Sequence, residues 1–184
     1  MPDQPHLITV LVADHREVEE MFTELEAGPD IARSRELRDK VITELVRHSV
    51  AEERYLYPTT RKALPGGDLL ADREIEDHAA AELVMKALER VEPDSPEFDR
   101  LLAQLITDVR GHVAEEETDL FPRLEAACTE QELVELGEKV QRIKKIAPTR
   151  PHPSAPDTPP RRKVAAPVVG LVDRLRDVFS GRSH

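Results

Sequence analysis

The chain has 184 residues, long enough for one well-buried domain followed by a tail. Its formal net charge of −11 excludes a surface built to bind nucleic acid, and its single cysteine, Cys128, excludes an internal disulfide and fits a reducing cytoplasm. No apolar run is long enough for a membrane span or a signal peptide, so we expect a cytoplasmic protein that does not cross a membrane.

Helix-breaking residues divide the first 147 residues into four long predicted helices and a short fifth one. The predicted helices span about residues 5–27, 31–64, 69–91, 95–128 and 129–146. Their boundaries are marked by Gly28-Pro29, Pro65-Gly66-Gly67, Ser95-Pro96 and the capping box Thr129-Glu130-Gln131-Glu132. Since the connections are short and no segment alternates like a strand, the sequence predicts an all-α fold, an up-down-up-down four-helix bundle with a short fifth helix over residues 1–147.

Two prolines lie inside predicted helices, and both belong to a repeated segment. HSVAEERYLYP, residues 48–58, aligns with HVAEEETDLFP, residues 112–122, at an offset of 64 residues. The copies share a histidine, two adjacent glutamates and a Leu-aromatic-Pro ending, which indicates a duplicated helical hairpin. An internal proline removes a backbone hydrogen bond, so we expect equivalent kinks at Pro58 and Pro122.

On each of the four long helices, a histidine replaces an apolar residue in the middle of the buried stripe, and a glutamate follows four residues later. Residues i and i+4 share a helix face, so each pair can point into the bundle. Several ionised carboxylates in one core would be costly without a cation, and imidazole with carboxylate suits iron. The pattern therefore predicts a metal centre inside the bundle. The pairs are His15 with Glu19, His48 with Glu52, His78 with Glu82, and His112 with Glu116.

The order of these residues resembles the hemerythrin-like family of HHE cation-binding domains: His, His-x-x-x-Glu, His, His-x-x-x-Glu, with E-x-x-L-[YF]-P after the second and fourth histidines. The resemblance covers about residues 5–146. It implies a four-helix bundle that holds two non-haem iron ions bridged by an oxo or hydroxo group. Carried over position by position, it gives the metal ligands His15, His48, Glu52, His78, His112 and Glu116, of which the two glutamates bridge the irons.

The chain departs from the oxygen-carrying hemerythrins on the third helix. Those proteins have a second histidine four residues before the position of His78, where this chain has Glu74. They also have a carboxylate at the position of Glu117, whereas the HHE pattern selects Glu116, which continues the inner stripe. The missing histidine leaves about two coordination positions, and a more open or more anionic site favours oxidation or peroxide chemistry over oxygen carriage. The candidates for these positions, besides water, are Glu74, Glu82 and Tyr55.

Three functions follow from these features. The first is a di-iron protein that reacts with dioxygen, peroxide or nitric oxide in redox defence, which a catalase- or peroxidase-like activity would make an enzyme. The second is an oxygen or iron sensor that signals through its C-terminal tail. The third is a structural bundle in which the histidines are ordinary core residues and no metal is needed.

The tail, residues 148–184, differs in charge from the rest of the chain. It has a net charge of +4 and many prolines, whereas residues 1–147 have a net charge of −15. We interpret it as a flexible basic linker that ends in a short amphipathic segment through Val168, Leu171, Leu175 and Val178. We interpret this segment first as packing locally on the bundle or as disordered; docking of a protein partner at residues 164–180 and binding to a membrane surface are the alternatives.

Overall fold

The computed structural model of the protein describes residues 5–150, and every regular element in that range is a helix. In chain order the helices are α1 (Leu7–Glu26), α2 (Ile31–Ala51), α3 (Tyr57–Ala63), α4 (Gly67–Leu88), α5 (Pro96–Glu115), α6 (Phe121–Ala127) and α7 (Glu130–Lys144). The helices α2 and α3 form one long rod, as do α5 and α6, so four long helices make the bundle and α7 is the short fifth one. The predicted all-α bundle is therefore confirmed.

A π-helical turn joins the two parts of each composite helix. The turns span Glu52–Leu56 and Glu116–Leu120, and each closes with a hydrogen bond from the next residue back to the first glutamate carbonyl. Pro58 and Pro122 follow directly after them, in the first turns of α3 and α6. A π turn places one extra residue in the helix, and the proline's missing N–H falls where no i−4 bond is required. The two prolines, at which the sequence predicts equivalent kinks, thus follow two equivalent π turns.

The helix starts have the caps that the sequence predicts. Ser95 accepts a hydrogen bond from the backbone N–H of Phe98, and Thr129 forms a full capping box with Glu132. Gly28 and Gly66, at the two turns that follow α1 and α3, have positive φ angles of 70° and 74°, which glycine adopts without steric cost.

Two hydrophobic clusters fill the bundle on either side of a polar layer. The first cluster includes Phe22 of α1 and Leu105 of α5, and the second includes Leu11 of α1 and Leu124 of α6. Along α1 and α4 the chain runs from the second cluster to the first, and along the two composite helices it runs back. This alternation gives the up-down-up-down order, and it puts the four histidines of the sequence pattern at one level between the clusters.

The fifth helix packs against α1 and α2 and has no counterpart on the α4–α5 side among the described residues. Gly137 makes this packing possible, because a Cβ at that position would lie 1.9 Å from the Pro5 carbonyl oxygen. Near the end of α7, the Lys144 ammonium forms an ion pair with Asp14 of α1. The helix is therefore held to the bundle at its middle and at its last residue.

We expect Gly137→Ala to destabilise the protein by about 1–3 kcal/mol, because the added methyl group forces α7 away from the backbone of Pro5. Gly111→Ala is the matched control: it lies in the interior of α5, and a Cβ there meets nothing within 4 Å. That control should stabilise the protein by up to about 1 kcal/mol, the difference in helix propensity. Urea unfolding of the two metal-loaded variants measures both effects; equal effects of the two would contradict the close packing of α7.

The tail beyond residue 150, with the predicted amphipathic segment and docking site at residues 164–180, lies outside the described residues. Within residues 5–150, no helix is long and apolar enough to cross a membrane.

Candidate metal centre

The four histidines of the sequence pattern meet in two pairs at the centre of the bundle. The Nε2 atoms of His15 and His48 are 3.1 Å apart, and those of His78 and His112 are 3.2 Å apart. Each pair comes from one helical hairpin, since His15 lies on α1 and His48 on α2, while the other two lie on α4 and α5. All four side chains are at least nine-tenths buried.

Glu52 and Glu116 lie between the histidine pairs, and both residues are 0% exposed. Glu52 Oε1 is 2.9 Å from His48 Nε2, and its Oε2 is 3.3 Å from His78 Nε2. Glu116 Oε2 is 3.4 Å from His15 Nε2 and 3.7 Å from His112 Nε2. Each carboxylate therefore reaches both pairs, as a bridging ligand must.

The outer nitrogen of every histidine ring faces a further carboxylate. His15 Nδ1 is 2.8 Å from Glu117, His48 Nδ1 is 3.2 Å from Asp14, and His78 Nδ1 is 3.4 Å from Glu53. A carboxylate at Nδ1 fixes the tautomer that leaves Nε2 free to bind a metal, and it makes the imidazole a stronger ligand. The fourth contact, between His112 Nδ1 and Glu74 Oε2, is 2.9 Å long.

The charges at this centre shift several pKa values strongly. Burial by itself lowers the pKa of His48, but the charge of Glu52 and the hydrogen bond with Asp14 outweigh it and raise the value to about 10. Burial also lowers the pKa of His78, but hydrogen bonds with Glu52 and Glu53 outweigh this effect and raise the value to about 10. Burial raises the pKa of the Glu52 carboxyl, yet the two histidines hold it well below its usual value.

Three buried carboxylate oxygens in this layer accept no hydrogen bond from any described residue. They are Glu52 Oε1, Glu116 Oε2 and Glu74 Oε2, and each of them lies beside a histidine nitrogen. An orphaned buried anion is costly, and a cation at this position removes the cost. Ligand atoms within 4.8 Å of one another form three groups: His15, His48, Glu52 and Glu116; Glu52, His78 and His112; and Glu74, His112 and Glu116. The donor set therefore fits metal ions.

The aromatic residue at the end of each π turn faces the centre. The Tyr57 hydroxyl is 3.0 Å from His78 Nε2 and 3.4 Å from a carboxylate oxygen of each of the two bridging glutamates. Phe121, its counterpart in the repeat, stacks on His15 with ring centroids 5.8 Å apart. Burial, followed by the charges of Glu52 and Glu116, raises the pKa of the Tyr57 phenol well above its usual value, so the hydroxyl keeps its proton.

The structure places the other ligand candidates at different depths. Tyr55 packs against the second hydrophobic cluster, away from the histidines, because the π turn aligns residue 57 rather than residue 55 with Glu52. Glu82 is buried on α4 but contributes to none of the three ligand groups found among the described residues. Glu74 belongs to the third group through its contact with His112. Glu19 ion-pairs with Arg110 nearer the surface, consistent with a place outside the ligand set.

The sequence pattern missed Asp14 and Glu53, because each is the direct chain neighbour of a predicted ligand. Their partners lie 34 and 25 residues away on other helices, so spacing along one helix does not connect them. The repeat contains one indication of the role of Glu53, because this residue aligns with Glu117. Both residues contact the outer nitrogen of a histidine in the other hairpin.

Removing an outer carboxylate should weaken metal binding without destroying the site. We expect Glu117→Ala to lower the metal affinity about 10- to 100-fold, because His15 loses the group that orients its ring. Glu115→Ala is the control, since Glu115 forms only a more exposed ion pair with Arg73. Competition with a calibrated chelator measures both affinities; equal affinities in the two variants would contradict an orienting role for Glu117.

The amino-acid sequence is similar to a known domain family and to two curated proteins. Residues 6–124 match the family model of the hemerythrin HHE cation-binding domain. An uncharacterized hemerythrin-like protein of Schizosaccharomyces pombe is 30% identical over 167 residues, which cover 90% of this chain and 82% of the relative. A DNA nickase of Nostoc is 30% identical over 112 residues, but these cover 61% of this chain and only 31% of that protein.

A solved structure has the same fold. It is the crystal structure of a hemerythrin HHE cation-binding domain-containing protein from Mycobacterium kansasii, which is 24% identical in sequence with a TM-score of 0.66. The match covers 77% of this chain and 86% of that one. At this identity the likeness concerns the fold alone.

Proposed function

Because the chain belongs to the hemerythrin HHE cation-binding domain family, we propose that its buried His/Glu cluster holds two non-haem iron ions that react with dioxygen, peroxide or nitric oxide, in defence against oxidative stress. The observation that carries the proposal is the sharing of Glu52 between two ligand groups, one with His15 and His48 and the other with His78 and His112. One carboxylate with an oxygen towards each group is the arrangement that a pair of metal ions requires. Imidazole and carboxylate together suit iron.

The protein's own groups would hold and shape such a centre. The histidines bind through Nε2, while Glu117, Asp14 and Glu53 keep three of the rings in place from the outside. Two irons held there would supply the electron exchange with the small oxidant. The protonated Tyr57 hydroxyl offers a hydrogen bond at the inner face of the cluster. Phe121 and the second hydrophobic cluster keep bulk water away from that face.

A sensor is the second candidate, and one contact favours it. Asp14 holds His48 with one carboxylate oxygen and the Lys144 ammonium with the other. Lys144 ends α7, the helix that leads into the tail. A change in the position of His48 would therefore act directly on the attachment of α7.

We also propose that the protein is cytoplasmic, in keeping with its single cysteine.

The test is the iron content of anaerobically purified full-length protein, followed by absorption spectra before and after addition of air and then of peroxide. About two irons per chain with a near-ultraviolet charge-transfer band are expected for the pair. A visible band that disappears on deoxygenation would favour carriage or sensing, whereas bleaching with gas evolution would favour peroxide disproportionation. A chain that binds no iron even after reconstitution would overturn the proposal.

A further inference from the structure

A large cavity lies beside the histidine layer, on the side opposite Tyr57 and Phe121. Its volume is about 850 Å³, and all four histidines contribute to its wall. Neither Tyr57 nor the two bridging glutamates line it, so it meets the cluster from the side of the first hydrophobic cluster. Binding pockets for organic molecules have volumes of about 300–1,000 Å³. Dioxygen and hydrogen peroxide need far less room.

The wall beyond the histidines is mainly apolar. It is formed by side chains of α1, α2, α4 and α5 that belong to the first hydrophobic cluster or pack against it. Such a wall gains free energy when an apolar ligand covers it. Its apolar residues include Val18, Phe22, Leu45, Ala81, Met85 and Val109, and Ser49, Thr107 and Thr118 add hydroxyl groups to the lining.

The rim carries charges, but its arginines are already paired. Arg16 forms an ion pair with Glu117, Arg73 with Glu115, and Arg110 with Glu19. The exposed carboxylates of two aspartates, Asp77 and Asp108, also line the cavity. A negatively charged ligand would have to break an ion pair or approach these carboxylates, so the rim disfavours anions such as fatty acids.

We propose that this cavity binds an uncharged, apolar organic molecule and holds it against the histidine wall of the metal centre. The volume of the cavity is larger than a diatomic gas or peroxide requires. Its apolar wall favours an apolar ligand, and the ion-paired arginines of its rim disfavour a carboxylate. Binding of such a molecule does not require the metal ions to react with it, so the site stands independently of the redox chemistry proposed above.

The test uses isothermal titration of the metal-loaded full-length protein with two probes of similar shape. One is 2-phenyl-2-propanol, which is uncharged, and the other is 2-methyl-2-phenylpropanoate, which carries a carboxylate. We expect the alcohol to bind at least about tenfold more tightly than the anion, because each arginine that lines the cavity among the described residues already has a carboxylate partner.

Two substitutions locate the probe. Ala81→Leu fills the apolar wall, and Gly111→Leu adds a side chain at the rim, where a Cβ meets nothing within 4 Å. Both should weaken alcohol binding at least about tenfold, whereas Ala103→Leu, at an exposed position of α5 outside the cavity, should leave it unchanged. Metal content and thermal unfolding, measured on each variant, separate a filled cavity from a lost metal centre or a misfolded chain.

Each outcome decides the proposal. Binding of the alcohol that weakens in Ala81→Leu and Gly111→Leu but not in Ala103→Leu, at unchanged metal content, supports it. No binding to the unsubstituted protein, or equal binding to all variants, overturns the site. Equally tight binding of the carboxylate would overturn the assignment to an uncharged molecule.

Discussion

Glu52→Ala is expected to remove metal from both halves of the centre. The two oxygens of Glu52 face different histidine pairs, 2.9 Å from His48 and 3.3 Å from His78, so a single truncation would take a ligand from each of the two proposed ions. The loss of affinity should exceed the roughly 10- to 100-fold that follows from removing an outer partner of a ligand. Metal analysis after dialysis against a weak chelator should find the unsubstituted chain loaded and the variant largely empty.

The control for this experiment is Glu19→Ala. Glu19 stands four residues after His15, the same spacing that separates Glu52 from His48, but its carboxylate pairs with Arg110 outside the ligand groups. The Glu19→Ala variant should therefore retain its full metal content. If Glu52→Ala kept both ions at unchanged affinity, Glu52 would not bridge the two histidine pairs, and the two-metal assignment would fail with it.

The comparison of Glu19 with Glu52 also shows how far the sequence alone could lead. The four His-x-x-x-Glu pairs look equivalent along the chain, because the i, i+4 relation tells only that two residues share a helix face. Which faces converge depends on how the helices are rotated about their axes. The structure separates the pairs: Glu52 and Glu116 meet between the histidines, while Glu19 lies nearer the surface.

The fold itself could be predicted from the sequence, because helix-breaking residues, capping residues and apolar stripes indicate the same set of helices. Ser95 and Thr129 cap their helices as predicted, and the histidines fall at one level of the bundle. The π turns were not accessible, since their sequences also suit an ordinary α-helix and only the following prolines hint at them. That single extra residue is why Tyr57, rather than Tyr55, reaches the centre.

The outer carboxylates show a different limit. Asp14, Glu53 and Glu117 each contact a histidine on a distant part of the chain, so only tertiary packing defines the pairs. A single sequence marks these residues as charged neighbours of ligands, which is also what a solvated helix face provides. Their burial beside imidazole nitrogens is a property of the assembled bundle.

The metal-free protein should lose stability as the pH rises from about 6.5 to about 10. The pKa values of His48 and His78 are about 10 in the folded chain against 6.5 for an ordinary histidine, so protonation of both favours folding. This stabilisation is complete below pH 6.5 and disappears as the pH passes through the folded values, at a rate of up to about 1.4 kcal/mol per pH unit for each histidine. Glu52→Gln removes the charge that raises both values, so this variant should show a flatter pH dependence.

The metal-loaded protein should show the opposite trend over the same range, because a metal ion binds the neutral imidazole and competes with protons. His48 and His78 of the metal-free folded chain keep their protons up to about pH 10, so protons compete with the ions throughout this range, and the competition weakens as the pH rises. Ions present at a thousand times their dissociation constant stabilise the protein by about 4 kcal/mol. The difference in unfolding temperature between loaded and chelator-treated protein should therefore grow from pH 6 to pH 9, by on the order of 10 °C or more. Calorimetry at several pH values measures it. A gap that stays constant or narrows would mean that His48 and His78 do not exchange protons for metal, and that the cluster is an ordinary buried ion-pair network.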